Sequence, residues 1–118
     1  MAELEVCDGY IKLIYAGPWQ LDVMKAHLEQ ASAFAQEANT KNALFDYLGV
    51  TTPPNILDLH LIGKHAAQEY RLTFHRVAVT IRKEYISKMA EDTAVNRGLR
   101  ALVTPDLNEA IEWLTETP

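Results

Sequence analysis

The stretch "AVNRGLRALVTPDLNEAIEWL", residues 94–114, decides the fold. Its Asn96-Arg97-Gly98 reads as the end of a helix. Glycine just past the last turn accepts the positive φ that closes a helix, and Arg97 sets a cation against the negative dipole end. "LRALVT" then predicts a short strand. Thr104 or Asp106 caps a last helix, with Pro105 and Asp106 in its first turn and Leu107, Ala110, Ile111 and Leu114 as its buried stripe. Helix, strand and helix in immediate succession predict parallel pairing, because each strand is reached through a crossover.

Working outward, the same alternation extends upstream. "HRVAVTIRK", residues 75–83, is the clearest strand, with Val77, Val79 and Ile81 alternating with Arg76, Ala78, Thr80 and Arg82. Such alternation predicts one packed face and one less buried face, and so helices mainly on one side. A third helix is predicted over 84–97. "NILDLHLIGKHAAQEY" predicts the second helix, capped by Asn55, and "NALFDYLG" a strand before it. Leu21, Met24, Leu28, Ala31, Ala35 and Ala38 step by three and four, which predicts a helix from Gln20 to Ala38 stopped by Asn39. At the start, Asp8-Gly9 separates two apolar runs, the signature of a hairpin with a type I′ turn. The expected fold is α/β: a mixed five-stranded sheet with an N-terminal β-hairpin followed by four βα units, one domain over residues 1–118.

Composition bounds the function. The chain has 118 residues and is 48% hydrophobic, enough for one core. No apolar run approaches the roughly 20 residues of a membrane span. The acidic Met-Ala-Glu-Leu-Glu start lacks the pattern of a signal peptide. A cytoplasmic location is expected. The net charge of −5 argues against nucleic acid as a partner. Charge is uneven: residues 1–63 carry −5, residues 64–100 carry +4 and residues 101–118 carry −4. The basic middle segment (Lys64, Arg71, Arg76, Arg82, Lys83, Lys88, Arg97, Arg100) is expected to pair with the acidic ends.

Chemistry-bearing constellations are sparse. Cys7 is the single cysteine and has no histidine base beside it in sequence. His60 and His65 are five apart and point to different faces, the wrong spacing for helical metal ligands. No metal, cofactor or catalytic residue is expected. Asp46 ends the predicted third strand, where α/β folds place function, yet one carboxylate without a partner is not a mechanism, and turn stabilisation is the simpler role. Arg97 and Arg100 are candidate anion contacts. On the second helix, Ile56, Leu59, Gly63, Ala66 and Tyr70 form one stripe, while Leu57, Leu61 and Ile62 lie off it. That surplus apolar surface marks a candidate interface.

Two stretches, "NALFDYLGVTTPPNILDL" and "TAVNRGLRALVTPDLNEAIEWL", together with the element order, give the chain a resemblance to small stand-alone bacterial STAS-like domains, the fold of sulphate transporters and anti-sigma-factor antagonists. The resemblance covers nearly the whole chain and carries no catalytic motif. It implies a non-enzymatic regulatory or protein-interaction domain, with Thr51, Thr52, Leu57, Leu61 and Ile62 as the contact surface for a protein partner or a second copy. The alternative it implies is a small-ligand protein taking an anionic or lipid-like molecule. The chain departs from the antagonists at one point. Their Asp-Ser-(Ser/Thr)-Gly switch motif is replaced here by Thr51, Thr52, Pro53, Pro54 and Asn55, and the only serines are Ser32 and Ser87. Pro53 and Pro54 also offer no N–H groups for a phosphate.

Overall fold

A computed structural model describes residues 2–70, 72–87 and 89–116; Arg71 and Lys88 of the basic segment therefore lie outside the described residues. The elements are β1 (Glu3–Cys7), β2 (Tyr10–Gly17), α1 (Leu21–Ala38), β3 (Asn42–Val50), α2 (Ile56–Tyr70), β4 (Arg76–Ile81), α3 (Met89–Asn96), β5 (Ala101–Thr104) and α4 (Leu107–Thr115). The strands lie in the order β1-β2-β3-β4-β5. Only β1 is antiparallel to its neighbour; the other pairings are parallel. This is the mixed sheet that the alternation of strands and helices predicts.

Local signals account for most boundaries. Asn39 closes α1 in the left-handed conformation (φ 55°, ψ 46°), its N–H reaching back to the last turn. Asn55 Oδ1 accepts from Asp58 N at 2.8 Å and caps α2. Asp106 accepts from the N–H groups of Asn108 and Glu109 and caps α4. Gly98 has φ +95°, and Leu99 N returns to Ala94 O at 3.1 Å, so Asn96-Arg97-Gly98 is a helix terminator.

Three expectations need correction. Cys7 faces Tyr10, so Asp8 and Gly9 form a two-residue loop as predicted. Yet positive φ falls on Gly9 and not on Asp8, which fits a type II turn and not type I′. The third helix does not begin at Glu84. Lys83–Tyr85 form a separate 3₁₀ turn, Ile86 is extended, and Ser87 Oγ accepts from Met89 N to open α3. The outer sheet face is also less open than the alternation suggests. Ala78 and Thr80 are fully buried, because α4 crosses to that face.

The two faces make two cores. Ile11, Leu13, Phe45, Tyr47, Val77 and Ile81 point to the side covered by α1, α2 and α3, where they meet Met24, Leu28, Ala67, Tyr70 and Ala94. Tyr10, Leu44 and Ala78 point to the other side and meet Ala110 and Leu114 of α4. Complete burial of each large apolar side chain contributes about 1.5–3 kcal/mol. Tyr70 is wholly buried: its ring stacks on Phe45 and its hydroxyl donates to the carbonyl of Leu28, tying α2 to α1.

Candidate functional site

The β3–α2 loop and the first turns of α2 form one surface at the C-terminal end of the parallel strands. The loop is fastened by neighbours on several sides. Thr51 N donates to Gly17 O at 2.9 Å at the end of β2. Thr52 Oγ1 accepts from Trp19 N at 2.9 Å just before α1. Tyr85 OH donates to Thr51 O at 3.2 Å from the 3₁₀ turn. Trp19 Nε1 also donates to Asp58 Oδ2 at 3.2 Å. Thr51 and Thr52 are thus presented at the surface on a held backbone.

Beyond this loop, Ile56 is 63% exposed and Leu57 is 65% exposed. Ile56 was expected in the buried stripe, but it sits in the first turn of α2, before the helix reaches the core. Leu61 is half-buried. Ile62, expected off the stripe, packs against the main core. The helix is rotated so that Leu59, Ile62, Gly63, Ala66 and Ala67 look inward.

Under α2 and α3 lies an apolar cavity of about 100 Å³. Phe45, Val79 and Val103 floor it from the sheet, and Leu59, Ile62 and Ala90 roof it. The roof is held at a close helix crossing. A Cβ on Gly63 would come within 2.5 Å of Ala90 O. His60 Nδ1 and Thr93 Oγ1, 3.3 Å apart, join the same two helices. Sequence reasoning missed the cavity; its one trace there was the excess of apolar residues on α2.

A buried polar array borders the cavity at Tyr47. His27 Nδ1 lies 2.9 Å from Tyr47 OH, and the Tyr15 and His27 rings are 4.9 Å apart. Burial lowers the His27 pKa from its ordinary value and raises that of the Tyr47 hydroxyl. Both groups are therefore neutral at physiological pH, and together they satisfy each other's hydrogen bond.

The remaining candidates separate. Asp46 is central in β3 and does not end it. Its Oδ1 accepts from Leu48 N and from Thr80 Oγ1, and its Oδ2 is 4.0 Å from Lys12 Nζ. Arg97 is exposed after α3, and Arg100 lies at the opposite end of the sheet from the β3–α2 loop, beside Arg76 and His75. Arg76 and Glu116, 4.0 Å apart, join the basic segment to the acidic C-terminal one. Cys7 is half-buried; Tyr10, across the turn, has its hydroxyl pKa pushed up to about 12, first by burial and then by the Cys7 side chain. Among the described residues no group of three or more His, Cys, Asp or Glu is placed to hold a metal ion, and no helix is long and apolar enough to cross a membrane.

The fold so defined is STAS-like. The structure is similar to that of an anti-sigma factor antagonist from Mycobacterium paratuberculosis, with a TM-score of 0.62, 17% identity, and coverage of 98% of this chain and 94% of that one. It is also similar to an uncharacterised protein with a SpoIIAA-like fold from Shewanella loihica PV-4, with a TM-score of 0.58, 18% identity, and coverage of 97% and 92%. No protein-family model matches the chain, and no curated protein matches it by sequence.

Proposed function

We propose that this chain is a non-enzymatic regulatory module of the STAS type that acts by protein contact, through the β3–α2 loop and the first turns of α2. One observation carries the reading: Ile56 and Leu57 are both more than 60% exposed beside a loop held in place by Trp19 and Tyr85. Apolar side chains at a fixed position suit a partner, because little conformational freedom is lost when they are covered. The likeness to an anti-sigma factor antagonist supports a regulatory role of this kind. Thr51, Thr52 and Leu61 border the surface, while Ile62 supports it from below. The occupant is a protein partner or a second copy, and the protein works in the cytoplasm without a cofactor. The test compares wild type with Leu57→Asp for partner capture and for sedimentation. Capture or self-association lost at unchanged melting temperature supports the reading; equal behaviour of the two proteins refutes it.

A second reading rests on the cavity beneath α2 and α3. Its almost wholly apolar walls and volume of about 100 Å³ suit a small apolar ligand of benzene-like size or less. Native mass spectrometry of the purified protein, before and after organic extraction, tests it: a removable mass bound one to one supports it, and none refutes it.

A further inference from the structure

The opposite end of the sheet carries a groove of about 510 Å³, within the roughly 300–1,000 Å³ range of small-ligand sites. It is formed where β3, β4 and β5 begin, with Asn42, His75, Arg76, Arg100 and Glu116 on its walls. The strand register explains how two cations meet there. Asn42 pairs with Arg76, and Val77 with Ala101. Arg76 and Arg100 are therefore lateral neighbours at the starts of adjacent strands, and Val77 N donates to Arg100 O between them at 2.9 Å. Like charges directly opposite one another are destabilising, so this placement calls for a counter-charge.

Among the described residues the counter-charge is weak. Glu116 Oε2 stands 4.0 Å from Arg76 Nη1, and its side chain is 64% exposed. That separation is too long for a hydrogen bond. Arg76 itself is well held. Its side chain is 15% exposed, its guanidinium lies 5.3 Å over the Trp113 ring, and it donates to the carbonyl of Trp113. One arm thus caps the end of α4, and the planar fork keeps further N–H donors for a ligand. Arg100 is exposed just before the neighbouring strand, on the wall of the same groove.

We infer that this groove is a site for a small oxyanion ligand, a carboxylate or a phosphate, held between Arg76 and Arg100 in competition with the Glu116 carboxylate. Guanidinium groups match such ligands through paired N–H···O bonds. Arg97, on the exposed turn before Gly98, is not part of it. The site lies at the far end of the sheet from Leu57, so it stands or falls separately from the contact surface proposed above.

Isothermal titration with citrate and with inorganic phosphate tests this, each at low and at high salt. At least one of them binds one to one with a Kd below about 1 mM, more weakly as salt rises; which one binds assigns carboxylate or phosphate. Arg100→Ala weakens that binding by about tenfold or more, the loss of one charge-assisted hydrogen bond. Glu116→Gln tightens it, and Arg97→Ala leaves it as in wild type. Circular dichroism verifies that each variant folds. Binding of neither probe, unchanged binding in Arg100→Ala, or equal weakening in Arg97→Ala overturns the proposal.

Discussion

Asp46 Oδ1 accepts a hydrogen bond from the backbone N–H of Leu48, two residues along the same strand, at 3.1 Å. The reason lies in the register. Ile14 pairs with Asp46 and Ala16 with Gly49, so β3 holds one residue more than β2 between these points. A bulge of this kind leaves a ladder N–H without its strand partner, and the carboxylate supplies the acceptor. Thr80 Oγ1, 3.2 Å away on β4, donates to the same oxygen. Asp46 is thus a support for the sheet in this structure, with the geometry of a bulge clamp.

Asp46→Ala is accordingly expected to cost about 1–3 kcal/mol, since it strands a buried donor. Asp46→Asn, which keeps an acceptor oxygen, should recover most of that loss. Urea unfolding of the three proteins measures this; an Ala variant as stable as wild type removes the clamp.

Gly98→Val should lose roughly 1–2 kcal/mol, through the backbone alone. Gly98 has φ +95°, and a Cβ there would meet no atom within 4 Å. The cost is therefore the strain of a β-branched residue in a left-handed turn. Gly98→Asn should cost less, because asparagine tolerates that region. Thermal melts of both variants decide it: equal melting temperatures for Val and wild type contradict the cap.

The two apolar side chains of α2 should behave in opposite ways. Leu57→Asp places a charge on a side chain that is 65% exposed and should leave the melting temperature nearly unchanged. Ile62→Asp buries a carboxylate against the main core. It should lose several kcal/mol, a large share of the roughly 5–15 kcal/mol stability of a small domain. Circular dichroism melts compare them directly.

Stability should fall in mild acid through His27. Burial lowers its pKa in the folded protein from the ordinary 6.5, so the unfolded chain takes up the proton first. The stabilisation is then complete above pH about 6.5 and is lost as pH falls from there through the lower folded value. His27→Gln should flatten that part of the profile. Urea midpoints between pH 8 and pH 5 test it; parallel profiles for the two proteins rule His27 out.

Much of this architecture depends on neighbours in sequence and was legible there. The Asp8-Gly9 hairpin, the Asn39 and Gly98 stops, the Asn55 and Asp106 caps and the succession of strands and helices all rest on residues within a few positions of one another. Their conformational preferences act before any tertiary contact forms. Tertiary structure decided the rest. Ala78 and Thr80 read as half-open until α4 closes over that face. Ile62 turns inward because α2 packs against both the sheet and α3, with Gly63 close to Ala90, residues far apart in the chain. Ile56 stays exposed in the first turn of α2, ahead of the core. Asp46 appears as a clamp only once β2 and β3 are registered with one residue to spare. Arg76 and Arg100, from separate strands, become neighbours only through parallel pairing. A sequence records which residues prefer a turn, a cap or an apolar face, but side-by-side packing of distant segments is fixed by the shape of the whole core.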